Sequence, residues 1–252
     1  MTMLRIAAAQ SISVPGDVSR NVATHIAFAR AAAAESVSFL IFPELSLSGY
    51  EPALLHKCTL TPCSELLQPL RQIAANAKMT IAFGAPVESE SGSVPSIGSI
   101  NFHADGSTTV YRKRFLHPGE DTFAVPGLID SHCVDIDKAR VALAICADTT
   151  HPEHARSAAA AGATLYAAGV LWSKAGYAVD AEMVKSHALA HGFGVLVANH
   201  GGPTGGFVSG GKSSFWAGNG ELVVRAPDEG NALVIASKVA DQWRGSCRLV
   251  DA

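Results

Sequence analysis

Charge is scarce in this chain. Only 16% of its 252 residues are Asp, Glu, Lys or Arg, and the formal net charge is −3. There is no basic excess to neutralise phosphates, which removes the electrostatic part of nucleic-acid binding. The basic residues are scattered, so a membrane-surface patch is not expected either. A long apolar run is also lacking: the alanine-rich stretch from Ser157 to Gly169 is broken by glycine and does not read as a membrane span. Met1 to Ile6 leads directly into an apolar run too short and wrongly flanked for a signal peptide. The five cysteines, at 58, 63, 133, 146 and 247, are odd in number. Without a secretory signal they read as reduced thiols in the cytoplasm. Cys58 and Cys63 are close, but no second pair or histidine doublet completes a zinc pattern. Neither a metal nor a cofactor is expected.

What is present is apolar bulk. The 48% hydrophobic content is ample for a sizeable core, and with no linker or repeat in view a single domain over 1–252 is expected. Leu4 to Gln10 reads as a strand. Asp17 or Ser19 can cap a helix running to about Glu35, with Val22, Ile26 and Ala29 on one face. Ser38 to Phe42 reads as a second buried strand ending at Pro43-Glu44. Ser64 to Lys78 is helical, with Pro69 best placed in a first turn that starts after Ser64, and Met79 to Val87 is a strand. Residues 88–98 read as an exposed loop. Ser99–Phe102 and Thr108–Tyr111 form a hairpin around Asp105-Gly106. The apolar run Val141 to Ile145 delivers Cys146 at a strand end, before a helix from Pro152 to about Ala161. A nearby helix N-terminus would favour thiolate over thiol. Thr164–Ala168 and Gly194–Asn199 are strands flanking a helix from Val179 to Gly192. A glycine-rich loop at 201–211, a hairpin at 213–225 and a final strand from Asn231 to Val239 complete the order. It mixes β-α-β units with hairpins, so a mixed α/β sheet with helices outside is expected.

Polar groups stand at the strand ends. Glu44 follows the second strand, Lys113 the hairpin, and Cys146 its own strand, with Glu120 in the same loop as Lys113. Each alone has an ordinary reading: a solvated loop carboxylate, a surface lysine, a buried thiol, a helix cap. Together they supply what acyl transfer needs, namely a nucleophile, a base and a cation for the oxyanion.

In these segments the chain resembles the nitrilase superfamily of carbon–nitrogen hydrolases. Phe42-Pro-Glu44 with Ser48-Gly-Tyr50 resembles the motif that carries the general base. Tyr111-Arg-Lys113 resembles the motif of the lysine, and Ile145-Cys-Ala-Asp148 with Pro152-Glu153 that of the nucleophile. Glu120 before Pro126-Gly127 matches the position of a second glutamate, and Asn199 and Gly211-Lys-Ser213 resemble later landmarks. The resemblance implies a four-layer α-β-β-α sandwich with mixed sheets, usually paired into a homodimer. It also implies hydrolysis of a small amide through a thioester on Cys146. Glu44 would be the base, Lys113 and the Ala147 backbone N–H the oxyanion donors, and Glu120 an orienting carboxylate. Tyr50, His117, Trp172 and Tyr177 are candidate pocket residues. Ala147 stands where the family often has an aromatic residue, and Asp148 leans the expectation toward amides over nitriles. An acyl transferase on the same site and a non-catalytic binding protein are the alternatives. Residues 206–213 match the phosphate-loop pattern letter for letter. That pattern needs a helix next, and Ser214 to Val224 reads as a hairpin.

Overall fold

A computed structural model of the chain describes residues 3–90, 92, 94–129 and 132–252. β1 (Leu4–Gln10) leads into α1 (Val18–Ala34), β2 (Phe39–Ile41), α2 (Gln68–Ala77), β3 (Thr80–Val87) and the hairpin β4 (Ser96–Phe102) and β5 (Thr108–Arg112). A second run follows: β6 (His132–Ile136), β7 (Ala139–Ile145), α3 (Pro152–Ala160), β8 (Leu165–Val170), α4 (Tyr177–His191), β9 (Gly194–Asn199) and the hairpin β10 (Ser214–Trp216) and β11 (Leu222–Arg225). The chain then returns to the first sheet as β12 (Ala232–Val239) and β13 (Gln242–Leu249).

The first sheet has the order β13-β12-β1-β2-β3-β4-β5 and the second β11-β10-β9-β8-β7-β6. Each is built on a parallel triplet, β1-β2-β3 in one and β7-β8-β9 in the other, with antiparallel strands on both flanks.

Alternation along the strands makes the layers. In β1, Ile6 and Ala8 face the second sheet, in one buried cluster with Leu143, Ala167 and Leu196. Ala7 and Ala9 face the other way, against Phe28 and Ala32 of α1 and Leu70 of α2. The second sheet repeats the pattern: Ala142, Tyr166 and Val195 pack on Ala155 of α3 and Val184 and Ala188 of α4. A period of two with both faces apolar requires cover on both sides, and the result is a four-layer α-β-β-α sandwich. Each large side chain so buried, Phe28 among them, contributes roughly 1.5–3 kcal/mol.

The helix ends follow the local signals. The Asp17 carboxylate caps α1, accepting from the Arg20 N–H at 3.0 Å. Pro69 sits in the first turn of α2, where its missing N–H costs nothing.

Three expectations need correction. The strand β4 begins at Ser96, so the loop expected over 88–98 is shorter at its end (Ser91 and Ser93 lie outside the described residues). β6 and β13 are strands that periodicity did not mark. A five-residue 3-10 turn, Cys146–Thr150, separates Cys146 from α3, so the thiol is not at that helix's N-terminus. The hairpin read after residues 206–213 is present as β10 and β11; Lys212 sits at φ +57° with its ammonium 3.3 Å from Asp228, which is no phosphate cradle.

Candidate active site

The C-terminal ends of the parallel strands converge at one end of the sandwich. β2 leads to Glu44, β7 to Cys146, β8 to Leu171 and Trp172, and β9 to Asn199 and His200. Two antiparallel steps, β3 to β4 to β5, restore the original direction, so β5 delivers Lys113 to the same end.

Glu44 lies on a segment squeezed between the sheets. A Cβ on Gly84 would stand 2.3 Å from the Leu45 nitrogen and the Pro43 oxygen, and one on Gly169 would stand 2.5 Å from the Phe42 oxygen. Only glycine in β3 and β8 lets the backbone of 42–45 pass so close. Leu45 turns the segment at φ +51°. His200 donates through Nε2 to the Glu44 carbonyl at 2.7 Å, and His25 accepts at Nε2 from the Ser46 hydroxyl at 2.9 Å. Burial lowers the His25 pKa to about 3 and that of His200 to about 4, so both are neutral supports at pH 7.

Lys113 is fully buried. Its ammonium donates to Glu44 Oε1 and to both oxygens of Glu120, each at 2.7 Å. Burial by itself would depress the lysine; the charges of Glu44, Cys146 and Glu120 outweigh it and hold the ammonium above the ordinary lysine range. Glu120 has further partners: Tyr50 donates its hydroxyl to Oε1 and His117 its backbone N–H to Oε2, both at 2.7 Å. Its acceptor sites are therefore filled. Glu44 differs. Its Oε2 is buried and has no hydrogen-bond partner. Desolvation, opposed by Lys113 and reinforced by Glu120, raises the Glu44 pKa to about 7.

Cys146 is held at φ +42°, a left-handed conformation that costs a non-glycine residue about 1–3 kcal/mol. Its Sγ points to the Leu171 carbonyl at 3.8 Å. Burial, then the Glu44 charge, pushes the thiol well above its ordinary pKa against the pull of Lys113. That direction favours the thiol over the thiolate, contrary to the expectation drawn from a nearby helix end.

Asp148 ties the cysteine to the lysine. Its carboxylate accepts from the backbone N–H of Ile145 (2.9 Å), Arg114 (3.1 Å) and Phe115 (2.9 Å), and from the Tyr111 hydroxyl (2.7 Å). Behind it His154 bridges the hydroxyls of Tyr111 (2.8 Å) and Tyr166 (2.7 Å). Asp148 itself does not border the cavity, so it acts as a clamp on two loops.

The cavity over Cys146 measures about 430 Å³. Glu44, Tyr50, His117, Glu120, Cys146, Ala147 and Trp172 border it as the sequence suggests. Tyr177 does not: its ring stacks edge-on against Trp172 from behind and meets the Lys212 ammonium at 5.0 Å. Asn199 fixes the Trp172 wall, accepting from the Trp172 N–H at 3.0 Å and donating to its carbonyl at 3.1 Å. The sequence reading missed Thr150, Asp180 and Phe207 on the lining. No motif marks them, whereas glycine inside the strand patterns of β3 and β8 is a legible sign of close backbone approach. No group of three metal-binding side chains occurs among the described residues.

Residues 5–245 match the family model described as carbon-nitrogen hydrolase. Solved structures agree over most of the chain. A cysteine-to-alanine mutant of the amidase from Nesterenkonia sp. AN1 in complex with butyramide superposes with a TM-score of 0.85 at 25% identity, covering 94% of this chain and 92% of that one. A glutamate-to-leucine mutant of the same amidase, showing covalent addition of the acetamide moiety of fluoroacetamide at the active site cysteine, superposes equally well at the same identity and coverage. Nearly the whole chain, with the segments that deliver Glu44, Lys113 and Cys146 to one cavity, thus falls within the match: the protein belongs to the carbon–nitrogen hydrolase family of the nitrilase superfamily.

Proposed function

We propose that the protein is an amidase that hydrolyses a small amide through a thioester on Cys146. The observation that carries this reading is the buried, unpartnered Oε2 of Glu44 on the wall of the cavity that holds the thiol. A base must be within reach of the proton it takes and titrate near the working pH; a carboxyl with a pKa of about 7 meets the second requirement. Glu44 takes the thiol proton as sulfur attacks the amide carbon. The oxyanion that forms is met by the Lys113 ammonium and the Ala147 backbone N–H; one such donor is worth roughly 2.7–4 kcal/mol. Glu44 then gives its proton to the departing nitrogen, and ammonia or an amine leaves. The thioester is opened by a water that Glu44 deprotonates, and the carboxylic acid departs with the thiol restored. Glu120, its oxygens already engaged, keeps Lys113 in place rather than exchanging protons. The similarity to an amidase crystallised with butyramide supports an amide substrate.

The whole chain acts as one domain in this proposal. Exposed Val179 and Leu189 on α4 suit pairing of two copies, and five free cysteines suit a reducing, cytoplasmic setting. The test is ammonia release from butyramide together with mass spectrometry of acid-quenched protein. An acyl adduct on Cys146, and its loss with all turnover in Cys146→Ala, is the expected result. Turnover by the alanine variant ends the proposal.

A further inference from the structure

The charges around the cavity do not balance. Three carboxylates border it, Glu44, Glu120 and Asp180, and no lysine or arginine does. Lys113 lies beneath, its ammonium engaged by Glu44 and Glu120. His117 is the only basic side chain on the lining, and its Nδ1 is turned to the Pro118 carbonyl at 3.2 Å.

Asp180 stands in the first turn of α4. A Cβ on Gly176 would come within 3.2 Å of its Oδ2, so glycine one turn earlier leaves the carboxylate room. Among the described residues no hydrogen bond or ion pair engages that carboxylate, and its charged-group neighbour is His117. Burial raises its pKa, as expected for a partly desolvated acid that lacks a full counter-ion. The same cavity holds a second buried oxygen without a partner, Glu44 Oε2, which an amide N–H can satisfy. The same lining carries apolar surfaces from Leu171, Trp172 and Phe207.

We propose that Asp180 selects amides whose far end carries a positive charge, an ammonium or guanidinium group, with a short methylene chain along the apolar wall and the carboxamide at Cys146. The inference rests on the amidase reading above. Anionic amides, including carbamoyl amino acids, would bring a further negative charge beside three carboxylates with no arginine to receive it.

The experiment compares kcat/KM for δ-aminovaleramide and hexanamide, which have the same length and differ by ammonium against methyl. Wild type is expected to favour the cation by about tenfold or more, mostly in KM, as a hydrogen bond to a charged group warrants. In Asp180→Asn the ratio falls to within about twofold, and Asp180→Lys shifts preference toward glutaramate. An acid in the first turn also favours the helix dipole. An Asn variant that melts earlier but keeps the wild-type ratio therefore overturns the inference, as does a wild type that ignores the charge while hydrolysing hexanamide. If neither amide releases ammonia or acylates Cys146, the amidase reading fails and takes the inference with it.

Discussion

Glu44 and Glu120 share the ammonium of Lys113 at equal distance, 2.7 Å, yet only Glu44 retains an oxygen without a partner. In the proposed mechanism this asymmetry separates proton transfer, by Glu44, from positioning, by Glu120. Glu44→Gln is expected to lower acylation by about 10²–10⁴-fold, the usual contribution of a positioned base. Glu120→Gln is expected to lower kcat less but to melt earlier, because an amide nitrogen must then face one of three donors, Lys113, Tyr50 or the His117 N–H. Paired measurements of kcat and thermal midpoint decide this; a greater loss of kcat in the Glu120 variant would reverse the two roles.

The pH dependence follows from the same groups with opposite signs. The Glu44 pKa rises on folding from 4.5 to about 7, so the folded state binds the extra proton between those values. Its contribution to stability is full below pH 4.5 and is lost as pH rises through about 7. His25 and His200 fall from 6.5 to about 3 and about 4. Their contribution is full above pH 6.5 and is lost as pH falls toward those values. Melting curves across this range should show His200→Gln, which can still donate to the Glu44 carbonyl, with a shallower loss on acidification than wild type. Activity, which in the proposed mechanism needs Glu44 ionised, should rise along an acid limb centred near pH 7. An acid limb centred near pH 4.5 would mean that burial does not control Glu44.

Much of this site is legible in the chain because its residues sit at ends of short apolar runs. Glu44 after Phe42-Pro43, Lys113 after a hairpin with an Asp-Gly turn, and Cys146 after Val141–Ile145 are local patterns. The strands that escaped are edge strands. β13 is mostly exposed and mixes arginine, serine and glycine, so its structure comes from eight consecutive pairings with β12 rather than from any alternation of its own. β6 is likewise an edge strand, fixed by five pairings with β7. Asp180 and Phe207 reach the cavity only because α4 and the glycine-rich loop fold over it, a tertiary fact without a local signal. The thiol misled for a related reason: the turn at 146–150 replaces the expected helix start, and burial then dominates the pKa.

The clamp at Asp148 predicts a positioning phenotype. Asp148→Ala strands the backbone N–H groups of Ile145, Arg114 and Phe115, and each unsatisfied buried donor costs about 1–3 kcal/mol. Asp148→Asn keeps one acceptor oxygen and should fold, with a lower melting temperature and a lower kcat at nearly unchanged KM. The check is a KM-against-kcat split for a neutral amide; a rise confined to KM would mean that Asp148 touches substrate after all.

Gly84 tests the squeezed segment. A methyl group there collides with backbone atoms of Pro43 and Leu45, which cannot yield as a side-chain tip can. Gly84→Ala is expected to destabilise by about 1–3 kcal/mol or more and to displace Glu44, so the surviving folded protein should also lose turnover. Urea unfolding and specific activity of the folded fraction measure the two effects separately. Full activity per folded molecule would show that β3 and the glutamate segment move apart without consequence.

In the proposed mechanism Ala147 is expected to set the size of the acyl pocket. It is buried beside Cys146 and borders the cavity of about 430 Å³, where a larger neighbour to the nucleophile would narrow the space. Its backbone N–H is the second oxyanion donor in the proposed mechanism, and any side chain leaves that donor in place. Ala147→Phe should therefore act on substrate length more than on chemistry. With acetamide, kcat is expected to remain within about threefold of wild type, since a lost oxyanion donor would instead cost about 10²–10³-fold. With hexanamide, kcat/KM should fall by about 10–200-fold, the range that one or two methylenes excluded from a pocket can produce. A uniform loss across all chain lengths would show that the ring disturbs the backbone at Cys146, already held at φ +42°, and that residue 147 governs the geometry of the nucleophile rather than the reach of the pocket.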